Sequence, residues 1–128
     1  MTAGAQARGA LAVVISGRCR DLAEHRDANF PVYARGQSIL GQSTFTRPSE
    51  LNVPVTIEPD RPGSFPSVTV HPGDIVLADL DGVVCVPVDL VGKVVERCKV
   101  ARGIDSKCME DIKNGKGVQE TFAKWRGK

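Results

Sequence analysis

The chain has 128 residues, the usual size of one domain, and its 41% hydrophobic and 25% charged residues are typical of a globular protein rather than a disordered one. Its 17 basic and 15 acidic residues leave a net charge of +2, which gives no indication of nucleic-acid binding. No apolar run approaches the roughly 18 residues of a membrane span, and no signal peptide is evident, so we expect a cytoplasmic protein with no membrane partner.

The first two thirds of the chain predict short strands separated by loops. A helical turn over residues 3–8 precedes a β-prone run at 11–15, which we expect to end at Ser16-Gly17 and to be buried on both faces. Asp21 is the candidate N-cap of a short helix. Further strands are predicted at 31–34, 53–57, 68–70, 75–78 and 83–86, and the last two form a hairpin.

The C-terminal third predicts helices. Apolar residues recur with a period near 3.6 from Asp89 onward, which predicts helices near 89–102, 105–113 and 117–126. Residues 93–128 hold ten basic and five acidic residues, a local balance of +5. We interpret this excess as the solvated face of amphipathic helices, and the alternative is a polyanion-binding patch.

The strongest candidate site is the polar cluster that follows the first strand, Arg18-Cys19-Arg20-Asp21. Side chains at a strand end lie at a sheet edge, where ligands tend to bind. An Asp can hold a hard cation, and an Arg can bind a carboxylate or stabilise a developing enolate. This pair therefore suits a 2-oxo acid with a divalent metal, although a helix cap beside a surface ion pair gives the same pattern. The four cysteines and two histidines lack zinc-site spacing.

Three blocks of the sequence together resemble the RraA-like family, which includes the 4-hydroxy-4-methyl-2-oxoglutarate aldolases and related oxaloacetate decarboxylases. The blocks are GALAVVISGRCRD at 9–21, FPVYARG at 30–36 and HPGDIVLADLDGVVCVP at 71–87. The resemblance implies an α/β fold, the swivelling β/β/α domain with layered sheets flanked by helices and a C-terminal helical segment. It further implies that residues 1–128 are a single domain corresponding to the C-terminal portion of the family's full domain.

The same resemblance implies a function. Active members look like lyases that use Mg²⁺ or Mn²⁺ to break a carbon–carbon bond in a small 2-oxo diacid, and they assemble as homotrimers, often paired into hexamers. Arg20 would bind substrate and stabilise the pyruvate enolate, so it is the expected catalytic residue, and Asp21 would bind the metal. Glu110 stands where the family often has a glutamate that reaches a neighbouring subunit's site, and the alternative is an ordinary solvated helix glutamate.

Two departures from the family pattern limit this expectation. Ser16-Gly17 stands where the family usually has Asp-Gly. The family's N-terminal Gly-Asp loop, which grips the substrate carboxylate, has no counterpart in this chain, so we expect no measurable turnover from the chain by itself. The alternative function is a non-catalytic RraA-like binding or regulatory protein, or an inactive fragment, because RraA itself resembles these aldolases yet acts by binding a ribonuclease. The preferred 2-oxo acid is not specified by the sequence.

Overall fold

The computed structural model describes residues 1–127 and has the mixed helix-and-sheet architecture with helical C-terminal segment that the sequence predicts. Its strands are β1 (Val13–Cys19), β2 (Val32–Gln37), β3 (Val55–Ile57), β4 (Val68–Val70), β5 (Ile75–Ala78) and β6 (Val83–Val86), and its helices are α1 (Thr2–Gln6), α2 (Leu22–Asp27), α3 (Val91–Lys113) and α4 (Val118–Arg126). The chain divides into two compact units, Met1–Pro72 with Val76–Cys85 and Gly73–Ile75 with the chain from Val86 onward.

Strands β1 and β2 form a parallel pair that contains a bulge. Ile15 pairs with Ala34 and Arg18 with Gly36, so Ser16 and Gly17 together lie opposite a single residue of β2. The prediction that the first strand ends at Ser16-Gly17 is therefore wrong. A bulge accommodates the extra residue without ending the ladder, and β1 continues to Cys19.

The exposure of β1 alternates along the strand. Val13 and Ile15 are half-buried, whereas Val14 on the opposite face is 45% exposed. The expectation of a strand buried on both faces is thus wrong for this chain, because successive side chains point to opposite faces and only one face is partly covered. In the first unit the single apolar residue that is fully buried is Phe30, at 6% exposure.

Two antiparallel strand pairs follow β1 and β2 in the chain. β3 pairs with β4, and the hydroxyls of Thr56 and Thr69 lie 3.0 Å apart across the pair. β5 and β6 pair as the predicted hairpin. Its turn is closed by the Asp79 carboxylate, which accepts a hydrogen bond of 2.8 Å from the backbone N–H of Asp81. The bounds predicted for these last three strands are confirmed, because turn residues delimit each of them.

The second unit is a helical hairpin. Helix α3 is one continuous helix of 23 residues rather than the two that the sequence predicts. Gly103 lies within it and costs about 1 kcal/mol relative to alanine, which the packing of α4 against α3 offsets. Among the described residues of this unit, Cys108 of α3 and Thr121 of α4 are buried. None of the helices within residues 1–127 is long and apolar enough to cross a membrane.

One carboxylate joins the two helices of this hairpin. Asp111 of α3 accepts hydrogen bonds from Lys116 Nζ at 2.8 Å, from the Trp125 indole at 2.9 Å and from Lys124 Nζ at 3.2 Å. The pKa of Asp111 lies far below its ordinary value. The hydrogen bond from Lys116 is the largest cause of this lowering, and the bond from Trp125 is the next largest. All three donors favour the ionised form, so folding of the hairpin is linked to ionisation of this carboxyl.

Acid is therefore expected to weaken the helical hairpin. Because the pKa of Asp111 is lower in the folded state, its stabilising contribution is complete above the unfolded pKa and declines as the pH falls below about 4. Thermal melts followed by circular dichroism should show that Asp111→Asn is less stable than wild type at pH 7 and that this difference shrinks at pH 3. Glu96→Gln, which removes an exposed carboxylate of α3, should differ little at either pH. An unchanged difference at pH 3 would contradict the linkage.

Candidate active site

The candidate site lies at the carboxyl edge of the β1–β2 pair. The two strands are parallel, and their last paired residues are Cys19 and Gln37, so the segments that follow them leave the sheet at the same edge. The backbone N–H of Ser38 donates to the Cys19 carbonyl at 2.8 Å and holds these two segments together. This edge is where ligands bind in open α/β sheets.

These two segments line an open cleft of about 420 Å³. Its polar wall comes from the end of β1 and the start of α2, and its apolar rim comes from the loop after β2. The lining residues are Arg18, Cys19, Arg20, Asp21, Leu22, Gln37, Ser38, Ile39 and Leu40. The structure thus brings the two principal predicted site residues, Arg20 and Asp21, into one cleft.

Arg20 and Asp21 form an ion pair that leaves both groups accessible. The Arg20 Nε lies 3.3 Å from Asp21 Oδ2, and the two side chains are 50% and 46% exposed. An ion pair this exposed contributes little to stability. Both groups can therefore exchange this contact for a ligand at small cost.

Asp21 is the N-cap residue of α2, as the sequence predicts, but its side chain makes no capping hydrogen bond. It lies in the left-handed region with φ of 64° and ψ of 38°. This conformation costs most residues about 1–2 kcal/mol, and Asp is among the residues that adopt it most readily. The left-handed turn frees the carboxylate from the helix end and places it on the wall of the cleft.

A second guanidinium, that of Arg18, lines the same cleft. Arg18 lies within β1 and Arg20 is the first residue after it, and both line the cleft. Arg18 is exposed and pairs with no carboxylate among residues 1–127. The cleft therefore carries a local excess of positive charge beside a single carboxylate.

Two residues that the sequence did not indicate organise this edge. Arg35 lies opposite the bulge, and its Nη2 donates to Ser16 Oγ at 2.9 Å, while the same guanidinium also bonds Asp60 and the Glu58 carbonyl. His25 of α2 bonds the Arg20 carbonyl through Nε2 at 2.8 Å. The sequence assigns no role to His25, because no local pattern shows that a helical imidazole reaches back to the preceding strand end.

The oxygen donors of the cleft fit a hard divalent cation. Asp21 is its carboxylate, and Mg²⁺ is commonly held by one or two carboxylates with water and substrate completing its shell. Within residues 1–127, no three or more His, Cys, Asp or Glu side chains are grouped so that they could hold a metal ion. Cys19 also lines the cleft, but thiolates select softer metals.

Glu110, the third predicted site residue, belongs to the second unit, whereas the residues that line the cleft belong to the first. It is exposed on α3 and lines a shallow surface depression with Arg102, Asp105, Ser106, Met109, Lys113 and Asn114. The structure therefore groups Arg20 with Asp21 and places Glu110 on another unit of the chain. Its proposed action on a neighbouring subunit's site stays a prediction.

Comparison with known proteins connects this cleft to longer relatives. The chain is 30% identical over 101 residues to a putative 4-hydroxy-4-methyl-2-oxoglutarate aldolase of Halalkalibacterium halodurans, a match that covers 79% of the chain and 44% of the relative. It is 26% identical over 110 residues to Protein DlpA of Legionella pneumophila, covering 86% of the chain and 17% of that protein. The chain thus spans less than half the length of both relatives.

A solved structure and a family model agree with these relatives. The crystal structure of an uncharacterised protein from Pseudomonas syringae pv. tomato superimposes with a TM-score of 0.81 and 29% identity, covering 94% of this chain and 56% of that one. The family model described as RraA-like, Aldolase/RraA, matches residues 1–85, which include both strands of the cleft. The resemblance found in the sequence is confirmed, and the chain belongs to the RraA-like family.

Proposed function

We propose that this chain carries the metal-binding and enolate-stabilising part of a carbon–carbon lyase that acts on 2-oxo diacids. The observation that supports the proposal most directly is the placement of Arg20 and Asp21, both about half exposed, in one cleft at the carboxyl edge of a parallel strand pair. The substrates are 4-hydroxy-4-methyl-2-oxoglutarate, oxaloacetate or both, because cleavage of each passes through the same pyruvate enolate.

Arg20 acts on the charge that develops during bond breaking. As the bond between C3 and C4 breaks, its electron pair moves through C3 onto the oxygen at C2 and forms the pyruvate enolate. C4 leaves as carbon dioxide from oxaloacetate, or as the carbonyl of a second pyruvate once its hydroxyl has lost a proton. The enolate then takes a proton at C3. A guanidinium aimed at the C2 oxygen stabilises the transition state more than the substrate, which is the condition for acceleration.

Asp21 holds the divalent cation in this proposal. Mg²⁺ or Mn²⁺ bound there would supply Lewis-acid polarisation of the 2-oxo carboxylate. The left-handed backbone at Asp21 supports the assignment, because it directs the carboxylate away from the end of α2 and into the cleft. The ion pair keeps the Asp21 carboxylate beside the Arg20 guanidinium, so the cation and the guanidinium would both reach the 2-oxo group of the substrate.

The remaining cleft residues suit a dianionic substrate with an apolar substituent. Arg18 supplies a second guanidinium for the distal carboxylate, because it has no carboxylate partner within the described residues. Ile39 and Leu40, which are 92% and 59% exposed, provide an apolar rim against which a methyl group can pack. The cleft thus offers two cationic contacts and one apolar contact.

We further propose that the protein works as a homotrimer or a pair of trimers, with Glu110 contributing from a neighbouring copy. Many apolar side chains are exposed in the single chain, including Leu11, Ile39, Leu51 and Leu80, each at 89% exposure or more. Exposed apolar surface of this kind favours association. Glu110 is exposed on α3 and therefore accessible to another copy.

The proposal is tested by measuring pyruvate release from the two substrates, with Mn²⁺ and with a chelator. Light scattering measures the oligomeric state of the protein that is assayed. The chain is assayed alone and extended by the Gly-Asp loop segment that the family carries. We expect metal-dependent release from the extended, self-associated protein and no measurable release from the chain alone. A metal-independent reaction, or a well-behaved monomer at high concentration, would contradict the proposed metal site or assembly. No release from the extended protein would favour a non-catalytic binding protein.

A further inference from the structure

We propose that His25 is a positioning residue that sets the orientation of the Arg20–Asp21 peptide and thereby aims both site side chains into the cleft. The consequence of this orientation for catalysis rests on the proposed function. The orientation itself is argued from hydrogen bonds within the first unit. His25 does not line the cleft, and it reaches the site through its bond to the Arg20 carbonyl.

The imidazole of His25 connects two segments outside its own helix. Its Nε2 lies 2.8 Å from the Arg20 carbonyl oxygen, and its Nδ1 lies 2.7 Å from the hydroxyl of Thr2 in α1. A carbonyl oxygen can only accept, so Nε2 must carry a proton and donate it. In the neutral ring Nδ1 then accepts from the Thr2 hydroxyl, and this second bond fixes the plane of the half-buried ring.

The bond from His25 constrains the rotation of one peptide plane. The Arg20 carbonyl and the Asp21 nitrogen belong to the same planar peptide, so fixing the direction of the carbonyl fixes the rotation of that plane. This rotation sets ψ of Arg20 and φ of Asp21, which is 64°. A non-glycine residue persists in the left-handed region when surrounding contacts hold it there. His25 provides the side-chain contact that holds the peptide, and its own backbone N–H donates to the Asp21 carbonyl at 3.1 Å.

Two different hydrogen bonds of His25 distinguish its positioning role from its contribution to the stability of α2. The backbone bond from His25 to Asp21 belongs to the first turn of α2, and any residue other than proline at position 25 can make it. The side-chain bond to Arg20 needs a donor of the right length at this position. Removing the side-chain donor therefore leaves α2 intact while allowing the Arg20–Asp21 peptide to rotate. The side chains of both residues would then leave their present directions.

The test compares two substitutions of similar size on the full chain. His25→Gln keeps an N–H that can donate to the Arg20 carbonyl and an oxygen that can accept from Thr2, whereas His25→Phe keeps the ring volume and loses both bonds. The readouts are the backbone chemical shifts and φ-dependent couplings of Asp21 by NMR, the His25 tautomer in wild type, and Mn²⁺ affinity by calorimetry. Melting temperatures show whether each variant folds.

We expect the wild-type spectrum to show the Nε2–H tautomer and a left-handed Asp21. His25→Phe should lose the left-handed signature and bind Mn²⁺ about tenfold more weakly, as for groups that orient metal ligands, while His25→Gln should retain the signature and most of the affinity. If His25→Phe folds and keeps both the left-handed signature of Asp21 and the wild-type Mn²⁺ affinity, His25 does not position the peptide. If wild type binds no Mn²⁺ yet the NMR difference is present, the positioning role stands and the proposed metal function fails.

Discussion

Replacing Arg20 by lysine is expected to slow pyruvate release at least about tenfold, or roughly 1.4 kcal/mol of barrier. Lysine keeps the positive charge but loses the planar fork that can contact both the C2 oxygen and the neighbouring carboxylate oxygen. Arg20→Ala removes the charge as well, and by analogy with the loss of an oxyanion-stabilising donor it should cost about 10²–10³-fold. The measurement is steady-state pyruvate release with Mn²⁺ on the extended protein described above.

The matched control for Arg20 is Arg26, six residues further along the chain in α2. Arg26 is an exposed arginine in the last turn of α2 and does not line the cleft, so Arg26→Lys should leave the rate near that of wild type. Binding of oxalate, which mimics the pyruvate enolate, gives a second readout that does not require turnover. If Arg20→Ala releases pyruvate as fast as wild type, the active site has been assigned to the wrong segment.

Replacing Asp21 by asparagine is expected to weaken Mn²⁺ binding by at least about 100-fold. Loss of a residue that only orients a metal ligand costs up to about 100-fold in affinity, and loss of the ligand itself should cost at least as much. Asparagine adopts the left-handed conformation as readily as aspartate, so the substitution removes the charge and leaves the backbone in place. Because Asp21 is the carboxylate of the cleft, its loss should also abolish the metal-dependent part of pyruvate release. Isothermal titration of the chain with MnCl₂ measures the first effect directly.

Two controls define the metal ligand further. Asp27→Asn removes an exposed carboxylate from the last residue of α2, outside the cleft, and should not change Mn²⁺ affinity. Cys19→Ser should also bind Mn²⁺ normally, because a hard cation takes oxygen rather than thiolate ligands. Equal Mn²⁺ affinity in Asp21→Asn and wild type would remove Asp21 from the metal site.

Much of the candidate site was predictable because its principal residues are adjacent in sequence. Arg20 and Asp21 directly follow the first strand, so predicting that strand placed the pair near a sheet edge, even though the strand runs on to Cys19 rather than ending at Ser16-Gly17. The contribution of Leu40 and its neighbours to the cleft was not predictable, because it depends on β2 pairing in parallel with β1. The contact between His25 and Thr2 joins residues 23 positions apart, and no local pattern encodes such a contact.

The sequence by itself determined the family, the α/β class, the hairpin strands at 75–78 and 83–86, and the residues of the Arg-Asp pair. These features depend on local patterns: alternating or continuous apolar residues, turn residues and a short motif. Only the tertiary structure decided that β1 continues through a bulge, that α3 passes Gly103 without a break, and that Asp21 is left-handed. Each of these carries a local conformational cost, and hydrogen bonds or packing from distant parts of the chain offset that cost.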